Sequence, residues 1–457
     1  MCAIVGAIVS LKTQDELDLA NHILKYIWDF SHERGSDGRG FMVNSSAETG
    51  PEFRHDTTRQ EVDWDRLDAP SFNQLCESAT AIGNLRAEPT TEFVLQKEWT
   101  DQQPYTVGPW NIVHNGTIAN DKELRTHRHP TKIDSAAIVE QLVECGQTLA
   151  EFLDSMLKLK GSYAILASNS QSTARLFAAA NYRPIWYAVT SIGTFFASSR
   201  YYFPKELTPV MLPPYTVARF SRHGILERRS LRPVMGMGND ALVVCSGGLD
   251  SVVSAAYAQK SLGYNIHLIH FLYGSRAEGP EVKAVQAVAK ALGCPITLFP
   301  LPVYQKGDSP LLDPDSTVAG GEEGAEFAHE WVPARNLLLL SVATAFAEAR
   351  GMSTIVLGNN LEEAGAYPDN EPEFIERFND MLPFAVGDGK RMRVIMPVGN
   401  MMKHEIVKLG HGIEAPMHLT WSCYRAGEFH CGTCGPCFMR RKAFEINDLE
   451  EVIAYKE

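Results

Sequence analysis

One stretch narrows the possible folds of this chain more than any other. It is the apolar run ALVVC, followed by Ser246-Gly247-Gly248-Leu249-Asp250-Ser251 and a helical pattern through VVSAAYAQKSLG. An apolar run without alternation fits a strand buried on both faces, and such strands belong to parallel sheets covered by helices. The paired glycines let the backbone turn sharply and present N–H groups to an anion; the helix N-terminus adds its dipole and the serines add hydroxyl donors. The result is a phosphate cradle. No Gly-Lys-Ser/Thr ends it, so it is not the Walker loop.

The strand-then-helix rhythm continues downstream through NIHLIHFLYG, a helix ending KAVQAVAKALG, PITLFPLP, the helix NLLLLSVATAFAEARG and STIVLGNN. This predicts a doubly wound, largely parallel α/β sheet over 241–457. Residues 1 to about 200 read differently. Short β-rich runs (AIVGAIVS, TAIGNLRA, WNIVHNG, SYAILASN, GTFFASS) accompany helical stretches at ELDLANHILKYIWDF and SAAIVEQLVECG, which indicates a layered α+β domain. Between Tyr201 and Asp240 five prolines and the ending MGMGND suggest a strand pair plus linker. A chain of 457 residues exceeds one ordinary core. The expected domains are 1–232, including most of the connecting segment 201–240, and 241–457.

A formal charge of −13 offers no general attraction to phosphate backbones, which argues against nucleic acid and for small substrates or a protein partner. No apolar run reaches the roughly 18 residues of a membrane span, and MCAIVGAIVS lacks the basic flank and cleavage site of a signal peptide. A cytoplasmic enzyme is expected. Oligomeric state is left open, a homodimer included.

Of nine cysteines, Cys423, Cys431, Cys434 and Cys437 lie in one short C-terminal stretch, while Cys2, Cys76, Cys145, Cys245 and Cys294 are scattered. Four soft thiolates spaced x7, x2, x2, with Gly432 and Gly435 to allow tight knuckles, suit a closed tetrahedral Zn²⁺ site with a structural role. An iron–sulfur cluster or four reduced thiols are the competing readings. His430 is a spare ligand that four cysteines make unnecessary.

The Ser246–Ser251 loop resembles the signature of the PP-loop ATP pyrophosphatases. The resemblance implies ATP held through its pyrophosphate, with Asp250 assisting Mg²⁺. Further features narrow it: Tyr273-Gly274-Ser275-Arg276, Val332-Pro333-Ala334-Arg335-Asn336, Ala366-Tyr367-Pro368-Asp369 and Trp421-Ser422-Cys423-Tyr424 leading into the cysteine cluster. In that order they resemble the 7-cyano-7-deazaguanine synthases. The resemblance implies a carboxylate on a deazaguanine base, 7-carboxy-7-deazaguanine, adenylated by ATP and captured by an amine. In the family a second adenylation dehydrates the amide to the nitrile. It also implies that Arg335 and Asn336 lie near nucleotide or base, and Tyr367 and Asp369 near the guanine-like edge. Glu362-Glu363-Ala364 and Asn370 depart from the family pattern and leave the acceptor open.

Cys2 follows the initiator Met, whose removal would expose an α-amine able to serve as base for the thiol. Arg34-Gly35-x-Asp37-Gly38, Arg86 within Asn84-Leu85-Arg86-Ala87-Glu88, Asn115-Gly116, Asn120 and Asp134 follow in order. Together they resemble the class II glutamine amidotransferases, with an Ntn-hydrolase αββα sandwich. The resemblance implies Cys2 as nucleophile, Arg86 on the glutamine carboxylate, Asp134 on its ammonium, and Asn115 and Gly116 as oxyanion hole. Joined in one chain, glutaminase and adenylating domain would supply ammonia to an acyl-adenylate. The alternative is a ligase of the antiphage-defence type that conjugates the activated base to a protein amine, its N-terminal domain serving in docking or regulation.

Overall fold

The structure is a computed structural model describing residues 2–35, 37–47, 51–56, 69–87, 98–232, 238–318, 320–321, 330–364, 367–387, 391–451 and 453–456. Glu88, Ala366 and residues 235–237 of the expected linker lie outside the described residues. The chain divides into two units, Met1–Val234 and Met235–Glu457.

The first unit contains β1 (Ala3–Leu11), β2 (Gly38–Ser45), β3 (Glu52–Asp56), β4 (Cys76–Arg86), β5 (Tyr105–Val107), β6 (Trp110–Ile118) and β7 (Gly161–Asn169). Then follow β8 (Ser172–Ala180), β9 (Trp186–Val189), β10 (Gly193–Ala197), β11 (Val210–Met211), β12 (Thr216–Ser221) and β13 (Gly224–Ser230). They form two sheets, ordered β11-β9-β10-β1-β4-β2-β3 and β13-β12-β8-β7-β6-β5.

Side-chain alternation stacks these sheets. In β1, Ala3, Val5, Ala7 and Val9 pack with Leu17, Ala20, Leu24, Ile27 and Trp28 of the helix Gln14–Ser31. Ile4 and Ile8 turn the other way, to meet Ala164 and Leu166 of β7 and Phe220 of β12 between the sheets. Tyr163, Ile165 and Ala167 of β7 face a third core with Ile138, Val139 and Phe152 from the helices Ala136–Gln141 and Leu149–Met156. Helix, sheet, sheet, helix is therefore the layer order, the αββα arrangement. Each large apolar side chain so buried contributes about 1.5–3 kcal/mol. The first helix opens with a capping box: Thr13 accepts from the Glu16 N–H and Glu16 reaches back to the Thr13 N–H.

The stretch SAAIVEQLVECG reads as one helix, yet helix ends at Gln141. The Ser155 hydroxyl takes the Gln141 carbonyl and the Trp110 indole N–H takes that of Cys145, so tertiary partners replace the next helical turn. The 201–240 segment supplies the β12–β13 hairpin, as its strand-pair reading expects.

The second unit has β14 (Asp240–Val244), β15 (Asn265–Leu272), β16 (Ile296–Pro300), β17 (Thr354–Val356) and β18 (Arg393–Ile395). All pairings are parallel, in the order β16-β15-β14-β17-β18. Ala241 and Val243 of β14 face the helices Leu249–Lys260, Glu278–Leu292 and Lys403–Gly412; Leu242 faces Arg335–Ala349 and Pro372–Ala385 on the opposite side. This is the doubly wound α/β sheet that the strand–helix rhythm implies. Strand order reverses between β14 and β17, and in such sheets ligands bind beyond the carboxyl ends of the strands at that reversal.

Candidate active sites

In the first unit, antiparallel pairing decides what meets Cys2. Ala3 lies opposite Leu85, which sets Cys2 at the end of β4 beside Arg86 and Ala87; Cys2 Sγ is 3.6 Å from the Ala87 carbonyl. Burial pushes the thiol up, while the Ala87 contact and the Arg86 charge act the other way and Asp134 adds to the rise. Cys2, Arg86 and Asp134 thus share one electrostatic neighbourhood. Gly38 pairs with Arg86, and the Asp37 N–H donates to the Arg86 carbonyl at 2.9 Å, so Asp37 and Gly38 lie along the same strand end. The Arg86 guanidinium donates to the Asp101 carbonyl (3.3 Å) and the Tyr105 hydroxyl (3.4 Å).

Asn115 is 2% exposed and its side-chain Nδ2 has no hydrogen-bond partner among the described residues. An orphaned buried amide is costly, by about 1–3 kcal/mol, and is what a donor waiting for an oxyanion would look like. Gly116 follows at φ +151°, where a Cβ would stand 1.9 Å from the Ser162 carbonyl. Gly116→Ala is expected to cost about 3 kcal/mol or more, by forcing β6 off β7; thermal unfolding would measure the effect. The Asp134 carboxylate accepts from the backbone N–H of Ile118 (2.6 Å) and of Ser135 (2.7 Å). The Asn120 amide is consumed by the backbone of Lys158 and Lys160, which makes it a loop tie.

Three residues that hold this site gave no sequence signal. Asn84 donates to both the Ala3 and His114 carbonyls, each at 3.2 Å, binding the strand that carries Cys2 to the strand that carries Asn115. Gln103 grips the His114 backbone from the other side, accepting its N–H at 2.6 Å and donating to its carbonyl at 3.2 Å. Burial holds the His114 imidazole down at about 4, so it is neutral, between the Ser135 hydroxyl and the Ser162 carbonyl.

In the second unit a cavity opens at the strand-order reversal, bounded by Ser246–Ser251 after β14, His270–Ser275 at the end of β15 and Leu357–Asn359 after β17. Gly247 has φ +84°, and a Cβ there would stand 2.9 Å from the Glu281 carbonyl. Ser246 Oγ accepts from the Gly248 N–H (3.2 Å), and Ser251 Oγ donates to the Gly248 carbonyl (3.1 Å). Gly248 caps the helix Leu249–Lys260 without a side-chain bond, so the first-turn N–H groups stay open to an anion.

Asp250 joins this end of the cavity. Its Oδ2 contacts Lys403 Nζ and accepts from Asn360 Nδ2 at 3.2 Å; its Oδ1 is buried with no partner. Lys403 faces the cavity at the start of its helix, its backbone N–H held by Glu362 Oε1 at 3.0 Å. As a single lysine 153 residues from Asp250, it offered the sequence reading nothing to notice.

Arg335 and Asn336 face the cavity, as does Asn370; Tyr367 and Asp369 are not among the residues that line it. Asp369 Oδ2 accepts the Asn336 backbone N–H at 3.0 Å, and its carbonyl accepts from Asn336 Nδ2 at 3.2 Å, so it caps the helix Arg335–Ala349. Tyr367 stacks on Trp331 at 6.0 Å between centroids. Burial alone would lower Arg335, but the phenols of Tyr273 and Tyr424 hold the guanidinium above its ordinary value.

The sulfur atoms of Cys423, Cys431, Cys434 and Cys437 lie within 4.8 Å of one another, with Cys431–Cys437 and Cys423–Cys434 at 4.0 Å. A tetrahedral zinc with Zn–S bonds of about 2.3 Å places sulfurs roughly 3.8 Å apart, so the cluster fits and could hold such an ion. Backbone N–H groups point at the sulfurs, from Arg425 and Cys431 to Cys423 and from Thr433 and Cys434 to Cys431. His430 is occupied elsewhere: its Nε2 accepts the Ser422 N–H at 3.0 Å and its ring lies against Trp421.

Comparison with known proteins places these features in context. A family model described as "Queuosine biosynthesis protein QueC" matches residues 240–448, and one described as "Glutamine amidotransferase domain" matches 91–205. Proteins named 7-cyano-7-deazaguanine synthase from Saccharolobus solfataricus and Sulfolobus acidocaldarius are each 39% identical, over 100% of both chains. One of the same name from Methanothrix thermoacetophila is 43% identical, over 47% of this chain and 98% of its own.

Proposed function

We propose, from the premise that this chain belongs to the 7-cyano-7-deazaguanine synthase family, that it uses ATP to activate the carboxylate of 7-carboxy-7-deazaguanine and aminates it with ammonia drawn from glutamine. The observation that carries this reading is the pairing in one chain of two unlike sites. One is a half-buried cysteine beside Arg86 and Asp134; the other is a glycine-turned loop with a lysine-paired aspartate.

In the first site Cys2, freed of Met1, attacks the glutamine amide carbon, its proton passing to its own α-amine. Arg86 holds the substrate carboxylate, Asp134 its ammonium, and Asn115 Nδ2 with the Gly116 N–H receives the oxyanion. Ammonia leaves, and water releases glutamate from the thioester. In the second site the Ser246–Ser251 loop holds the phosphates and the substrate carboxylate attacks the α-phosphorus, expelling pyrophosphate. Ammonia then displaces AMP to give the amide. A second ATP activates the amide oxygen, and loss of AMP with the two N–H protons gives the nitrile. Mg²⁺, when bound, would be held by Asp250 and would neutralise phosphate charge. Zinc in the four thiolates would be structural.

Lys403 has a place in this scheme. Were Asp250 to hold Mg²⁺, the Lys403 ammonium would be free to meet the phosphate charge that grows as pyrophosphate leaves. Lys403→Ala is expected to slow substrate-dependent ATP–pyrophosphate exchange by roughly 10²–10³-fold while leaving glutamine hydrolysis intact.

The test supplies ATP, Mg²⁺, 7-carboxy-7-deazaguanine and amide-¹⁵N glutamine, following AMP and product mass. The expected product carries ¹⁵N, with one AMP per amide or two per nitrile. AMP release without a ¹⁵N product, with a mass increase on a protein, would transfer the reading to ligation onto a protein amine.

A further inference from the structure

We infer that Glu281 is the specificity-determining carboxylate for the base, accepting the ring N–H and the exocyclic amino N–H of the amino-pyrimidinone edge side by side. The inference deepens the proposed function and rests on it.

The cavity is lined by two chemically different groups of residues. One is the loop Ser246–Ser251 with Asp250 and Lys403; the other is Tyr273, Ser275, Glu281, Leu311, Arg335 and Tyr424, the Glu281 backbone carbonyl lying against Gly247 of the loop. Among the described residues lining it, Asp250 and Glu281 are the acidic ones, and Asp250 is engaged by Lys403 and Asn360. Among the described residues, Glu281 is engaged by Ser275, whose Oγ donates to its Oε2 at 3.1 Å. Its charged and titratable surroundings are Arg335 from the helix Arg335–Ala349, Tyr273 from the end of β15, and Glu278 from its own helix. Burial pushes the carboxyl up to about 7, against the pull of Ser275 and Arg335. Such a group gains most from new donors, because two N–H bonds to the ionised form repay its desolvation.

The geometry of the partner follows from the acceptor. A carboxylate takes two adjacent donors, which the edge of a deazaguanine offers; the adenine edge sets one amino donor beside a ring lone pair, which a carboxylate repels. Glu281 would therefore both bind the base substrate and turn the adenine of ATP away from this group of residues. Asp369, the carboxylate that the family resemblance suggested for this edge, is not among the residues that line the cavity, and its Oδ2 accepts the Asn336 N–H.

The experiment measures KM for 7-carboxy-7-deazaguanine, for its analogue lacking the exocyclic amino group, and for ATP, in wild type, Glu281→Gln and Ser275→Ala, with melting temperatures alongside. Glu281→Gln should raise KM for the substrate by roughly 30- to 100-fold, leave KM for ATP within about twofold, and erase the wild-type preference over the analogue. Ser275→Ala should shift the same ratio less, in the same direction. A preference unchanged in Glu281→Gln overturns the assignment. So does an effect falling equally on ATP or Mg²⁺ requirement, or one explained by a lowered melting temperature. Wild type that turns over neither base overturns the proposed function itself, which separates the two failures.

Discussion

Glutamine-dependent product formation is expected to fall by at least about a thousandfold in Cys2→Ala, while formation driven by added ammonium stays within about twofold of wild type. The argument is local. The thiol is the group placed beside Arg86 and Asp134, and substitution by alanine removes the atom that must bond to the glutamine carbon without disturbing the β1–β4 pairing, which begins at Ala3. The measurement is AMP and product with each nitrogen source. Equal loss with glutamine and ammonium would mean that Cys2 supports the fold; equal retention would remove the thiol from the chemistry.

The second large effect concerns the cysteine cluster. Cys434→Ser is expected to abolish stoichiometric metal and to destabilise the second unit by several kcal/mol. Structural zinc sites carry about 10–16 kcal/mol of binding free energy coupled to folding, and loss of one thiolate forfeits a large part of it. Cys434 is fully buried and caps the helix Gly435–Ile446, so a misplaced ligand disturbs that helix directly. Metal analysis of purified protein and thermal unfolding with and without a chelator would check it. Wild type that carries no metal and melts at the same temperature as Cys434→Ser would make the cluster a packed group of thiols.

What could be read from the chain beforehand was what is local in sequence. The Ser246–Ser251 turn and the spacing Cys423, Cys431, Cys434, Cys437 each occupy one short stretch of sequence, so pattern and chemistry coincide. The alternation in AIVGAIVS is legible for the same reason, since neighbouring side chains in a strand take opposite faces. Residues whose work depends on pairing across the chain escaped notice. Asn84 reads as an ordinary polar residue in a strand until its two carbonyl partners, from Ala3 and His114, are seen. Lys403 matters through Asp250, far away in sequence. Asp369 is legible as part of a motif, but a motif names residue types that recur together and does not say that this carboxylate accepts the Asn336 N–H at the start of a helix.

The hydrogen bond from the Trp421 N–H to the Gly247 carbonyl, 2.8 Å long, joins the phosphate loop to the segment that leads into Cys423. Arg440, 1% exposed, clamps that segment from the helix Gly435–Ile446, through the Met417 carbonyl and the hydroxyls of Thr420 and Ser422. A metal held by the thiolates and a nucleotide held by the loop then steady the same short piece of backbone. Linkage makes that sharing reciprocal: by whatever factor the ion tightens nucleotide binding, the nucleotide tightens binding of the ion. An enzyme working on ATP would keep its metal better than one at rest.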